Sequence, residues 1–195
     1  LKSIILASAS PRRKKLLQKI NLNFDVHASD VTEEYDSSLS PAKVVQALAE
    51  RKALDVARKF GEALIIGADT IVAHQDDILE KPPTPEAAKD MLHQLSGSTH
   101  SVLTGVTLCM TSSGDDQKVH TFFEETEVTF GQLRSDDISR YVQSGSPMDK
   151  AGAYGIQDDF GAIFVERIEG GYNTVVGFPL YSFYQEMIRF APEYI

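Results

Sequence analysis

Cysteine is nearly absent from this chain. Cys109 is the only one in 195 residues, so no intramolecular disulfide can form and little is left from which to build a structural zinc site. A buried, apolar filler in a strand is the role expected of it. The five histidines (His27, His74, His93, His100 and His120) are scattered without metal-ligand spacing and carry no assigned chemistry. No run of apolar residues is long enough to span a bilayer. Residues 1–195 contain no signal-peptide pattern, and a cytoplasmic protein is expected. Three familiar phosphate or nucleophile signatures are also missing. There is no Walker A sequence, no Gly-x-Gly-x-x-Gly after a strand and no Gly-x-Ser-x-Gly elbow, which disfavours P-loop, dinucleotide and serine-hydrolase chemistry.

Basic residues are in deficit. Nineteen Lys and Arg face 28 Asp and Glu, for a net charge of −9. That balance argues against long nucleic acid or an anionic membrane as the main partner. The distribution is uneven, however: residues 1–20 hold six basic side chains and no acidic one. A local basic patch on an acidic protein suits a small polyanion. Hydrophobic content of 42% and charged content of 24% are ordinary for a globular domain. The length fits one domain, taken as residues 1–195, with or without two lobes.

The basic patch has a structural setting. Ile4-Ile5-Leu6-Ala7 reads as a buried strand and runs directly into Ser8-Ala9-Ser10-Pro11-Arg12-Arg13. Pro11 suits a first helical position with Ser10 as its N-cap. A strand feeding a helix start aims unpaired backbone N–H groups and the positive dipole end at one spot. Arg12 and Arg13 in that first turn add to the positive charge where an isolated helix prefers acids. An external anion, phosphate above all, would compensate, with Ser8 and Ser10 as hydrogen-bonding partners.

The remaining pattern alternates. A strand near 23–27 precedes a helix from Pro41 to about Lys59, and Ala63–Ala68 reads as a strand buried on both faces. Thr84-Pro85-Glu86 opens a third helix that Gly97 closes. Residues 98–130 read as a hairpin turning at 112–116. Ser135 is expected to cap a short helix ending near Gly145. A strand near 162–168 then precedes a last helix from Pro179, with Leu180, Phe183, Tyr184, Met187 and Ile188 on one face. Mixed α/β is the class.

Several polar residues sit in unexpected places. Lys52 shares the apolar stripe of the second helix, four residues from both Leu48 and Val56. It either snorkels to the helix edge or projects a cation into a cleft. Asp69 follows Ala63–Ala68 at the end of a central strand. Burying a carboxylate alone costs several kcal/mol, so it is paired, hydrogen-bonded as a turn aspartate, or metal-bound. Lys81 lies in the proline-stiffened Glu80-Lys81-Pro82-Pro83, and Glu33 in a polar loop after the second strand. The glycine-rich segment 145–157 would let backbone approach a ligand, and Gln157 offers a donor and an acceptor for one edge of a base.

Taken together, Ser8-Ala9-Ser10-Pro11-Arg12-Arg13, Gly67-Ala68-Asp69-Thr70, Glu80-Lys81-Pro82, Tyr154-Gly155-Ile156-Gln157 and Val175-Val176-Gly177-Phe178-Pro179 resemble, in order, the motifs of the Maf family of nucleoside triphosphate pyrophosphatases. The resemblance implies a two-lobed α/β domain on a long mixed sheet with flanking helices, related to inosine triphosphate pyrophosphatases, with its active site in a cleft between the lobes. It implies cleavage between the α and β phosphates, a role in nucleotide-pool sanitation, and often a homodimer. Arg12 and Thr70 stand where the 7-methyl-GTP-selective branch has tryptophan and glutamine. With Gln157, this chain is similar to the branch that prefers dTTP, UTP and modified pyrimidine relatives. Pro147-Met148-Asp149-Lys150-Ala151-Gly152 is similar to eukaryotic members of that branch, and Ala153 departs from a common glycine.

On that resemblance Asp69, Lys52 and Lys81 are the catalytic candidates, and Ser8, Ser10, Arg12, Arg13, Thr70 and Gln157 the substrate-binding ones. Glu33 and Asp69 would hold a divalent cation, Mg²⁺ or Mn²⁺. Two rival readings are a non-catalytic nucleotide-binding regulator of cell division and an RNA-binding module. The first could dispense with Asp69, and the second lacks a basic, aromatic-studded sheet face.

Overall fold

The computed structural model describes residues 3–75, 77–112, 117–157 and 159–195. Strand β1 (Ser3–Leu6) leads into helix α1 (Pro11–Lys19), followed by β2 (Asp25–Val26), α2 (Pro41–Ala57), β3 (Ala63–His74) and β4 (Asp77–Leu79). Then come α3 (Pro85–Leu95), β5 (Thr99–Thr111), β6 (Gln117–Phe130) and α4 (Ser135–Gln143). After short 3-10 turns the chain ends with β7 (Val165–Glu169), α5 (Tyr172–Val176) and α6 (Leu180–Phe190). The seven strands form a mixed sheet in the order β2-β1-β3-β5-β6-β7, with β4 on β3. Strand β1 runs parallel to β2 and β3, whereas β4 is antiparallel to β3 and β7 to β6. Among the described residues no helix is long and apolar enough to cross a membrane.

Three helices start alike, and for the same reason. Pro11, Pro41 and Pro85 each occupy the first turn, where a missing N–H costs nothing, behind Ser10, Ser40 and Thr84. Ser10 and Thr84 accept N–H bonds from Arg13 and Ala87, whereas Ser40 makes no side-chain cap bond. The fourth start differs from expectation. Arg134 is the N-cap of α4 and Ser135 is already helical, with Asp136 and Asp137 in the first turn to meet the dipole. Proline 179 likewise caps α6 instead of opening it, and of the expected apolar face only Phe183 and Met187 are buried. Residues 159–164 form a 3-10 turn, so β7 is shorter than the strand expected near 162–168. The expected turn at 112–116 lies, beyond Ser112, outside the described residues.

The chain divides into two compact units. The first comprises residues through Asp69, Thr104–Glu124 and Gly177–Ile195. Its core includes Ile5, Ala7, Ala53, Val56, Ile65 and Cys109. Burial pushes the Cys109 thiol up to about 11, with the nearby Glu50 charge adding to the shift. An inert thiol filling core volume is the role the sequence suggests.

The second unit, Thr70–Leu103 and Glu125–Val176, is built on Leu92, Phe130, Ile138, Tyr141, Tyr154 and Phe164. His100 is only 3% exposed there. Its Nε2 is 2.8 Å from the Tyr154 hydroxyl, and its ring meets Phe130 and Tyr154 edge-on. Burial, reinforced by the neighbouring His74, lowers the His100 pKa from 6.5 to about 4. Since the folded-state pKa is the lower one, the unfolded chain binds more protons between those values. Stability is therefore full above about pH 6.5 and is lost as pH falls toward 4, by up to about 3 kcal/mol at roughly 1.4 kcal/mol per pK unit. Urea unfolding at pH 7, 5.5 and 4 is expected to reveal this slope, and His100→Gln to flatten it. A variant with the wild-type slope would place the acid sensitivity elsewhere.

Candidate active site

Strand β1 ends in a turn that hydrogen-bonds to itself. The Ser10 N–H donates to Ser8 Oγ at 3.3 Å, and the Arg13 N–H donates to Ser10 Oγ at 3.4 Å. Arg13 then folds back, its Nη1 donating to Ser8 Oγ at 3.1 Å and its Nε to the Gly177 carbonyl at 3.0 Å. Ser8 is buried, while Arg12 and Arg13 are partly buried. Loss of solvent pulls the Arg13 pKa below its ordinary value; Asp69 and Glu33 oppose that shift and Arg12 adds to it. Arg13 stays cationic at neutral pH, as guanidinium groups do. Helix α1 has no acidic residue in its first turn, so its dipole end and both arginines present positive charge together.

Across the same unit, α2 delivers Lys52. Its apolar stripe buries Val44, Val45, Leu48, Ala49, Ala53 and Val56 along with the lysine. The helix lies very close to the sheet because two strand positions lack side chains. A Cβ on Gly67 would stand 2.4 Å from the Ala49 carbonyl oxygen and 2.8 Å from Ala53 atoms. One on Gly105 would stand 2.5 Å from the Val45 carbonyl. Gly67 and Asp69 share a face of β3, since side chains alternate along a strand. The glycine that admits the helix thus precedes the carboxylate its lysine meets.

Lys52 Nζ donates to Asp69 Oδ1 at 2.5 Å and to Glu33 Oε1 at 2.6 Å. The lysine and aspartate side chains are about a tenth exposed, at 11% and 10%, whereas Glu33 is 54% exposed. Lys52 therefore does not snorkel to solvent. Asp69 is not at a strand end either: β3 continues to His74, because the buried carboxylate is paired with the ammonium group instead of terminating the strand. Together these residues form one constellation: a buried carboxylate, a half-exposed one, the lysine between them and the arginines nearby.

The other candidates belong to the second unit. Thr70 follows Asp69 on β3 and is partly buried; Lys81, two residues beyond β4, is exposed, as is Gln157. The loop before Gln157 is rigidly anchored. Lys150 is buried, its Nζ donating to Asp149 Oδ1 at 2.6 Å and to the Ser146 carbonyl. The Gly155 N–H donates to the Tyr141 hydroxyl at 3.2 Å, and the Gly152 N–H to the Glu80 carbonyl at 3.3 Å. Gly152 has φ +67° and a Cβ there would meet Val72 at 3.0 Å, so both conformation and space favour glycine. The sequence reading did not assign these anchors, nor the glycine packing under α2. Lys150 was visible only as part of a motif, and the His100–Tyr154 pair spans 54 residues.

A metal would find oxygen donors here but no cage. Among the described residues no group of three or more His, Cys, Asp and Glu could hold an ion. Asp69 and Glu33, brought to one point by Lys52, fit an ion such as Mg²⁺, which is usually held by one or two carboxylates while phosphates and waters complete its shell.

Fold and site thus define a mixed α/β protein with a cationic helix start and a lysine-bridged carboxylate pair. The chain belongs to the Maf family: the model for "Maf-like protein" matches residues 3–190. A dTTP/UTP pyrophosphatase of Bacillus pumilus is 49% identical over 180 residues, 92% of each chain. Those of Bacillus cytotoxicus and a Geobacillus species are 47% and 49% identical, covering 97% of this chain and 96% and 98% of theirs. A solved nucleoside-triphosphatase / dITP/XTP pyrophosphatase of Mycobacterium abscessus has a TM-score of 0.47 at 10% identity, covering 94% of this chain and 92% of that one.

Proposed function

We propose that this protein hydrolyses nucleoside triphosphates, dTTP and UTP foremost, to the monophosphate and pyrophosphate, as a cytoplasmic nucleotide-pool enzyme. The observation that carries the reading is the Lys52–Asp69–Glu33 constellation in the same compact unit as the Ser8–Arg13 turn. Near-half identity over almost the whole chain to proteins named dTTP/UTP pyrophosphatase supports the substrate class. A regulator that only bound nucleotide would not need a carboxylate buried against a lysine.

In this reading the α1 start, Arg12 and Arg13 bind the triphosphate, with Ser8 and Ser10 shaping the turn that presents them. Asp69 orients the attacking water and accepts its proton. Lys52 holds Asp69 in place through their 2.5 Å contact and offers its remaining N–H to phosphate oxygen. Glu33 and Asp69 would hold Mg²⁺ or Mn²⁺, which, when bound, neutralises phosphate charge and increases the acidity of water. Lys81 is assigned to the phosphates, and Thr70 and Gln157 to the nucleoside, by their place in the family motifs. Positioning and charge stabilisation carry most of the rate.

Uracil and thymine present an N–H donor flanked by carbonyl acceptors, and the Gln157 amide can match one donor–acceptor pair of that edge. Gln157 is exposed in the free protein, but once a bound base excludes water from this edge an unmatched pair costs roughly 1–3 kcal/mol, so dTTP and UTP are expected to be cleaved at least about tenfold more efficiently than dATP or GTP. Gln157→Ala is expected to flatten that preference more than it lowers the best rate. Pyrophosphate release across the four nucleotides, with Mg²⁺ and with Mn²⁺, measures both. A wild-type preference for purines would refute the substrate assignment, and an unaltered preference in the variant would refute the role of Gln157.

A further inference from the structure

Residues 27–40, between β2 and α2, contain no helix or strand, yet they must deliver the Glu33 carboxylate to one point. A free loop would deliver it poorly, since an unanchored backbone and a long side chain both carry entropy. The exposed side of α2 supplies the missing order. Arg51 Nη1 donates to the Thr32 carbonyl at 3.0 Å and to the Glu34 carbonyl at 2.6 Å. Those carbonyls lie on either side of Glu33, so one guanidinium group fixes the backbone before and after it. One turn further along, Asp55 Oδ2 accepts from the Ser29 hydroxyl at 2.9 Å and from the Asp30 N–H at 3.4 Å. Between these tethers Lys52 takes the Glu33 carboxylate itself.

We propose that Arg51 is a positioning residue for divalent-cation binding, clamping the Thr32–Glu34 backbone so that Glu33 stands beside Asp69. The proposal rests on the metal role given to Glu33 above. Arg51 touches neither carboxylate in the contacts described; it acts through two carbonyls. Both bonds leave one nitrogen, Nη1, whose two N–H groups are held in the guanidinium plane, whereas the donors of a lysine ammonium rotate. Losing these charge-assisted bonds frees the loop without opening the core, since Arg51 is exposed.

The test is Mn²⁺ titration of the protein saturated with α,β-methylene-dTTP, which cannot be cleaved at the relevant bond, followed by electron paramagnetic resonance of free Mn²⁺. Arg51→Ala is expected to raise the Mn²⁺ concentration for half-occupancy about fivefold or more, roughly the net effect of losing one solvent-exposed hydrogen bond. Arg51→Lys should recover part of the loss. In turnover assays the Mn²⁺ requirement should rise far more than kcat at saturating Mn²⁺ falls. Hydrogen exchange should quicken in residues 29–35 of Arg51→Ala and nowhere else. Glu33→Gln is the reference. A titration unmoved by Arg51→Ala but moved by Glu33→Gln overturns the clamp alone; one unmoved by both overturns the metal role of Glu33, and the clamp with it.

Discussion

Asp69→Asn is expected to lower turnover at least about a hundredfold, the low end of a general-base contribution, while nucleotide affinity largely survives. The substitution is nearly isosteric and removes the two features that the proposed chemistry needs, a proton acceptor and a negative charge. The Ser8–Arg13 turn that would bind the triphosphate keeps its own hydrogen bonds. Lys52 would retain Glu33 as its counter-charge, so the buried ammonium is not stranded, and the variant should fold. Stopped turnover with intact binding separates chemistry from assembly. Near-normal turnover would remove Asp69 from the mechanism, and a collapse of both folding and binding would make its role structural.

The second large effect is on stability. Gly67→Ala is expected to cost about 3 kcal/mol or more, at or beyond the upper end of overpacking penalties. The added methyl would meet the Ala49 carbonyl at 2.4 Å and the Ala53 nitrogen at 2.8 Å. These are helix backbone atoms, so no side chain can rotate away; α2 must lift from β3 as a body. Lifting it would also withdraw Lys52 from Asp69, so the folded fraction should lose specific activity. Gly61→Ala is the control, because nothing lies within 4 Å of a Cβ there. Equal melting temperatures for the two variants would contradict the close approach of helix and strand.

How much of this was legible beforehand varied with the range of the interaction. Local signals read well: Pro11, Pro41 and Pro85 mark three helix starts because proline's cost at that position is set by the backbone alone. The apolar run Ala63–Ala68 identified a central strand for a similar reason. Its length was misjudged, since a carboxylate at position 69 looks like a terminus until its partner, 17 residues earlier in sequence, is known. Short β4 and five-residue α5 have too few residues to carry a periodic pattern. The site residues stood out as violations of local rules, with arginines at a helix start and a lysine in an apolar stripe. What supports them did not. Arg51 looks like any surface arginine, and Gly67, although it stands within an apolar strand run, does not reveal which element approaches it.

The most direct test is the ³¹P spectrum of dTTP incubated with Mg²⁺ and either the wild-type protein or Asp69→Asn. The expected result is dTMP and pyrophosphate rising together in the wild-type sample, with little change in the variant over the same time although it still binds the nucleotide. Orthophosphate and dTDP as first products, or an undiminished rate in Asp69→Asn, would contradict an Asp69-assisted cleavage between the α and β phosphates.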